Sequence, residues 1–423
     1  MKEIKLNKLK ETIYYDKCDN GLEIYMWVKN NSNYYYATFN TRFGSIDTKF
    51  KIKDKEYNVN NGIAHYLEHI NFNESDNTTP DDYYNIKGTS TNAFTTYDLT
   101  SYEIYGSSDI LGDTLHLIDF VQDRYFTEDI IEGERNIILE EVKMDNNNPG
   151  QKMYYETQKS IYSKNKRRNE ITGSEKDISK INKNELELVY DTFYQPSNMF
   201  LIITGNFNPY EISMAIKENQ NKKKIKKIHF TKIYDKEDAK VNKENTEISD
   251  NIEIPKLSLA YKMSRRKFKE FNDLYLKIYL DLIINANFGP TSNLKEDLME
   301  KELIYTLTYS INIDNDNVVI ELDSETKYPL ELIKILKEDM SKLVLTEEKL
   351  KRRIKCSIAY LISGLDDIEF VNSLIQNDII KYNKINNNIY DIYQSLTLDE
   401  AKKIIKHIDL NNCSVVIMNK NKD

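Results

Sequence analysis

Residues 65–69 read His65-Tyr66-Leu67-Glu68-His69, and these two histidines are drawn from only five in a chain of 423 residues. On a helix, positions i, i+3 and i+4 share one face, so His65, Glu68 and His69 point the same way. Two imidazoles one turn apart can hold a single zinc ion at about 2.0–2.1 Å each. Glu68 sits too close on the same turn to serve comfortably as a further ligand. It is well placed to take a proton from an attacking water. The order is the reverse of the better-known His-Glu-x-x-His arrangement.

Catalytic zinc takes three protein ligands and keeps one position open, so a third must come from elsewhere. The segment Glu132-Gly133-Glu134 through Lys143 reads as a helix with two candidates. Glu134 and Glu141 are seven residues apart, about two turns, and share a face, whereas Glu140 is rotated about 100° away. Glu141 follows the apolar run Ile137-Ile138-Leu139, which would bury that end of the helix. A carboxylate there needs a cation.

The elements that must position these groups follow from pattern. Residues 22–29 and 34–42 read as strands separated by an Asn-Ser-Asn turn. Asn61-Gly62 opens a short helix over 62–70. The Thr-, Tyr- and Phe-rich stretch 89–106 reads as one or two strands. Amphipathic helices are expected at 109–123 and from Thr127 to the Asn-Asn-Pro-Gly stop, and an apolar strand at 198–207. The second half restarts with the strand 256–263, passes through helices and two strands, and closes on the strand 413–419. Each half thus runs β, α, β. This order predicts an α+β protein of two related α/β-sandwich-like domains, each a mixed sheet with helices packed on it. The expected division is 1–218, a charged linker at 219–250, and 251–423, the last without the metal motif.

Bulk composition narrows the functional classes. A net charge of −9 disfavours nucleic acid as a partner, because phosphate binding needs clustered positive charge. No window approaches eighteen consecutive apolar residues, so no membrane span is expected. The N-terminal segment is basic without an apolar run behind it, which argues against a secretory signal. Cys18, Cys356 and Cys413 are odd in number and widely spaced, which suits a reducing compartment and predicts a cytoplasmic location. His116, His229 and His407 are isolated and read as ordinary surface or core histidines.

With both elements in place, the chain resembles the pitrilysin–insulinase family of inverzincin metallopeptidases, which includes the mitochondrial processing peptidase. The resemblance rests on His65-Tyr66-Leu67-Glu68-His69 and on Glu134-x6-Glu141, and extends over most of residues 20–210. It implies a zinc endopeptidase, with Glu141 as third ligand and Glu134 supporting the site electrostatically. The segment 87–106 is similar to the family's active-site edge strand, which places Asn92, Ala93, Phe94 and Thr95 on the substrate side. "ATFNTRFGSIDTKF" and "LIDFVQDRYFTED" look most like short bacterial subunits, among them peptidase pairs that mature bacteriocins. Such chains pair into a closed chamber that admits peptides. The family's Arg-then-Tyr pair, which holds the substrate carbonyl, maps onto 288–310. Tyr305 falls at the tyrosine, but Met299 stands at the arginine and cannot stabilise an oxyanion. The resemblance therefore implies a heterodimer in which a homologous partner supplies the arginine and tyrosine, with a homodimer as the alternative.

Two other classes compete. A thioether lyase with a comparable histidine motif uses cysteine as its third ligand, and no cysteine lies within 120–145. A non-catalytic scaffold subunit of a peptidase pair usually lacks the histidine motif, which is intact here.

Overall fold

The computed structural model describes residues 1–75, 78–224 and 226–421. Its strands are β1 (Lys2–Leu6), β2 (Glu11–Lys17), β3 (Glu23–Val28), β4 (Tyr35–Thr41), β5 (Lys49–Ile52), β6 (Lys55–Asn58), β7 (Ser90–Thr95), β8 (Thr100–Gly106), β9 (Met199–Gly205), β10 (Phe230–Lys232), β11 (Asn245–Asp250), β12 (Lys256–Ser264), β13 (Thr306–Ile313), β14 (Asn317–Glu325) and β15 (Cys413–Lys420). The chain forms two compact units, each a mixed sheet flanked by helices.

The first unit comprises Met1–Lys143, Glu170–Tyr234 and Leu361–Ile389. Its seven-stranded sheet runs β1-β2-β3-β9-β4-β8-β7, with β3 and β9 parallel and all other pairs antiparallel. Every residue of β9 is buried, as expected for a central strand covered on both faces. Alternate side chains serve the two faces. Met199, Leu201 and Ile203 join the core under α1 (Ile63–Ile70), α3 (Ile110–Gln122) and α4 (Glu128–Asn146). The helix between β6 and β7 that follows α1, Pro80–Lys87, is α2 and is closed at its start by a Thr79–Asp82 capping box. Phe200 and Ile202 instead meet Val371, Ile375 and Ile379 of the helix Ile368–Tyr382.

The second unit comprises Met144–Asn169, Asp235–Tyr360 and Tyr390–Asp423. Its five-stranded sheet runs β11-β15-β12-β14-β13. Helix α5 (Pro149–Ile161) covers one face, with Met153 against Val416 and Met418.

The units therefore do not follow the linear division at 219–250. Helix α5 comes from the first half of the chain but covers the sheet of the second unit, and Ile368–Tyr382 comes from the second half but covers the sheet of the first. The expected linker is not a free connector either. β10 pairs with β5, and β11 runs parallel to β15. Glu237 is buried, where its carboxylate accepts from the Lys262 ammonium at 2.7 Å and from the backbone N–H groups of Ser163, Lys164 and Asn165. A charge run reads as solvated only until its counter-charge is found in a neighbouring strand.

Candidate metal centre

Helix α1 begins at Gly62, which has φ +83°, a left-handed conformation that favours glycine. A Cβ there would lie 2.5 Å from the Thr172 carbonyl oxygen, so the glycine also lets the 172–173 backbone close against the helix start. Seven of the eight α1 residues are buried, His65 and Glu68 among them, because the apolar face of Ile63, Ala64, Tyr66, Leu67 and Ile70 enters the core. The Tyr66 hydroxyl donates to the Ile131 carbonyl at 2.5 Å, which ties α1 to the start of α4. Arg135 of α4 caps the carbonyls of Ile178 and Ile181.

This packing brings α4 across the histidines. Glu141 Oε2 lies 3.5 Å from His65 Nε2 and 3.4 Å from His69 Nε2. Ligands at about 2.05 Å in a tetrahedral zinc shell stand about 3.3–3.4 Å apart, so both carboxylate–imidazole spacings suit that ion. His65, His69 and Glu141 form the one group of at least three such side chains among the described residues that could hold a metal. Glu140, on the rotated face, is exposed and pairs with Lys143 instead.

The neighbouring carboxylates favour positive charge at His69. His69 is largely buried, which works against its charge, but hydrogen bonds to Glu134 and Glu141 prevail and raise it to about 9. Burial and the neighbouring His69 push His65 down to about 4. Glu141 is lowered, chiefly by its hydrogen bond with His69. Two carboxylates around two imidazoles are matched by a dication.

Glu134 lies behind the site. His69 Nδ1–H donates to its Oε2 at 3.3 Å, and Asn73 Nδ2 donates to its Oε1 at 3.3 Å. A metal-ligating histidine characteristically hands its second N–H to a carboxylate in this way, which orients the ring and raises its basicity. Asn73 was not anticipated from sequence. It lies one turn beyond His69, where the chain leaves the helix.

Glu68 lies on the same face of α1 as the two histidines. Burial pushes its carboxyl up to about 7, while the Thr95 hydroxyl and His69 pull the other way. A base poised near neutrality is suited to proton transfer. The Thr95 contact, a hydroxyl donating to Glu68 Oε2 at 2.5 Å, comes from the end of β7.

β7 is the last strand of its sheet, paired with β8 on one side and with no other strand among the described residues. The four residues expected on the substrate side divide by the strand's alternation. Ala93 packs toward the core that holds α1, whereas Phe94 packs on the opposite face beside Leu99 and Phe200. Asn92 is exposed. Tyr305 and Met299 belong to the second unit and are exposed, Tyr305 just before β13 with the Lys327 ammonium 5.7 Å from its ring centroid.

Comparison with known families decides the grouping. Residues 54–175 match the insulinase (peptidase family M16) model, and residues 180–355 match the model described as the peptidase M16 inactive domain. The protein "Uncharacterized zinc protease YmfH" of Bacillus subtilis is 32% identical over 425 residues, covering 96% of each chain. The chain belongs to peptidase family M16. The zinc protease PqqE of Helicobacter pylori is 24% identical over 359 residues, covering 79% of each chain. Among solved structures, an M16-like peptidase from Alicyclobacillus acidocaldarius superposes with a TM-score of 0.91 at 25% identity, over 97% of this chain and 99% of the other. A protease from Helicobacter pylori shares the fold, with a TM-score of 0.82 at 19% identity over 96% and 99% of the two chains. The M16 relatives are named zinc proteases, and His65, His69 and Glu141 form a group that could hold that ion.

Proposed function

We propose that this M16 chain is the zinc-bearing subunit of an endopeptidase that hydrolyses unfolded peptides or peptide precursors in a closed chamber formed with a partner subunit. The observation that carries the reading is the convergence of His65, His69 and Glu141 at zinc-shell spacing, with Glu68 on the same face. Zinc, when bound, supplies Lewis-acid chemistry, polarising a carbonyl and making water acidic. Glu68 takes the proton from the attacking water and delivers it to the leaving amine. Glu134 acts through His69 as a positioning residue. The peptide lies extended beside Asn92–Thr95, where the outer edge of β7 offers main-chain hydrogen bonds that tolerate varied sequence.

Met299 stands where the family's substrate-binding arginine is expected, which supports a heterodimer whose other chain brings the Arg/Tyr pair. Bacteriocin-precursor trimming, leader-peptide removal and general peptide turnover all fit this reading. Three free cysteines fit the proposed cytoplasmic location. No helix among the described residues is long and apolar enough to cross a membrane.

The test is Glu68→Gln in the zinc-loaded protein, assayed on an unstructured peptide with and without the partner chain. Zinc content is expected to be unchanged and cleavage to fall by at least 100-fold. Cleavage at the parental rate would refute the assigned base. A parent chain with full zinc and no cleavage under either condition would instead favour the scaffold reading.

A further inference from the structure

The second unit contains a cavity of about 350 Å³ that the zinc chemistry does not use. It lies among the helix Asp273–Phe288, the helix Glu347–Gly364 and β13, and its volume is at the low end of the roughly 300–1,000 Å³ typical of small-molecule sites. Its walls include Ile278, Leu282, Tyr309, Tyr360 and Tyr393, an apolar and aromatic lining.

The notable group in this wall is Arg353, which is only 9% exposed. Buried guanidinium groups are ordinarily matched by a carboxylate and by acceptors for most of their five donors. Among the described residues Arg353 has one hydrogen bond, from Nη2 to Thr291 Oγ1 at 3.0 Å, and its Nε is buried with no partner. No carboxylate of the described residues forms an ion pair with it. The acid of the lining, Asp281, is committed to Lys277 at 2.7 Å. The Tyr309 hydroxyl accepts from Asn285 at 3.0 Å and so keeps its own proton to donate.

We propose that this cavity binds a small monocarboxylate with an apolar body, the carboxylate taken by Arg353 and the body by the tyrosine and aliphatic walls. One buried cation calls for one negative charge. Asp281 on the same wall is already matched by Lys277, so that pair offers no further cation for a doubly charged ligand such as phosphate. A free acid and the C-terminus of a short peptide present the same chemistry. The site uses none of the metal residues.

The probes are N-acetyl-leucine, N-acetyl-leucinamide, the dipeptide acid N-acetyl-Ala-Leu and inorganic phosphate, each with the full zinc-loaded chain. Cys356 lines the cavity and is exposed, whereas Cys18 is buried, so thiol modification of Cys356 mapped by mass spectrometry reports occupancy without any mutation. Both acids are expected to slow Cys356 modification and raise the melting temperature, and the amide and phosphate to do neither. Protection by N-acetyl-leucine alone assigns a free acid, and stronger protection by the dipeptide assigns a peptide terminus. Arg353→Gln is expected to weaken acid binding at least tenfold, and Arg353→Lys to weaken it less. Equal protection by acid and amide, protection by phosphate alone, no protection by any probe, or parental acid binding in a folded Arg353→Gln variant would each overturn the proposal.

Discussion

The Thr95 hydroxyl donates to Glu68 Oε2 at 2.5 Å, which joins the end of the sheet's edge strand to the carboxylate on the metal-site helix. The contact ties the proposed base to the strand expected to carry substrate. A hydrogen bond to a charged group contributes about 1.5–3 kcal/mol, equivalent to roughly 10- to 150-fold in rate if it serves the transition state. Thr95→Val is therefore expected to lower kcat by roughly 10-fold or more, with KM for an unstructured peptide and zinc content little changed. Thr95→Ser should restore most of the loss. A Val variant with parental kcat would remove Thr95 from the positioning of the base.

Glu134 touches the metal group only through the His69 ring. Losing such an outer partner typically costs 10- to 100-fold in metal affinity. Glu134→Gln is expected to weaken zinc binding by that factor, read by competition with a chromophoric chelator. Complete zinc removal should abolish cleavage and lower the melting temperature, and added zinc should restore both. A Glu134→Gln chain that holds zinc as tightly as its parent would leave the carboxylate without a role.

The metal constellation was legible in the sequence because it is local. His65, Glu68 and His69 occupy one turn of α1, and Glu134 and Glu141 one face of α4, so helical periodicity groups the members within each helix, while the choice of Glu141 as third ligand came from the family resemblance. The Thr95–Glu68 contact was not legible, since it depends on how β7 lies against α1. Element order and the α+β class were also readable, but not which sheet each helix covers. The amphipathic patterns of α5 and of Ile368–Tyr382 state that each has an apolar face, and any sheet could receive it. A signal for the buried Glu237 did exist. Lys262 is the one charged residue in the buried stretch of β12, and a lysine there demands an acid from elsewhere in the chain.

Tyr305 is about half exposed and Met299 has no charge to offer a substrate carbonyl. If the partner chain brings the working Arg/Tyr pair, Tyr305→Phe should change kcat/KM of the assembled enzyme by less than twofold. In a homodimer the same hydroxyl would be the one available, and the substitution should cost 10-fold or more. Sedimentation of the chain with and without its partner, alongside the kinetics, separates the two assemblies.

The Lys262–Glu237 pair is almost fully buried on both sides, at 0% and 1% side-chain exposure. Removing one partner of such a pair strands the other charge and costs about 3–5 kcal/mol. Glu237→Gln is therefore expected to destabilise the protein by that amount in urea unfolding at pH 6. The pH dependence follows from the carboxyl. Burial opposes its charge, but the Lys262 ammonium and three backbone N–H groups prevail and hold Glu237 down to about 2. A depressed acid stabilises the fold fully above its unfolded value, near 4.5, and loses that stabilisation as pH falls through the folded value near 2. Lys262 is itself lowered by burial, and it stays charged in both states across this acid range, so it adds no slope there. The stability gap between parent and Glu237→Gln should thus shrink by about 2 kcal/mol between pH 6 and pH 3. A gap that stays constant over that interval would mean that the carboxylate is not held by this network.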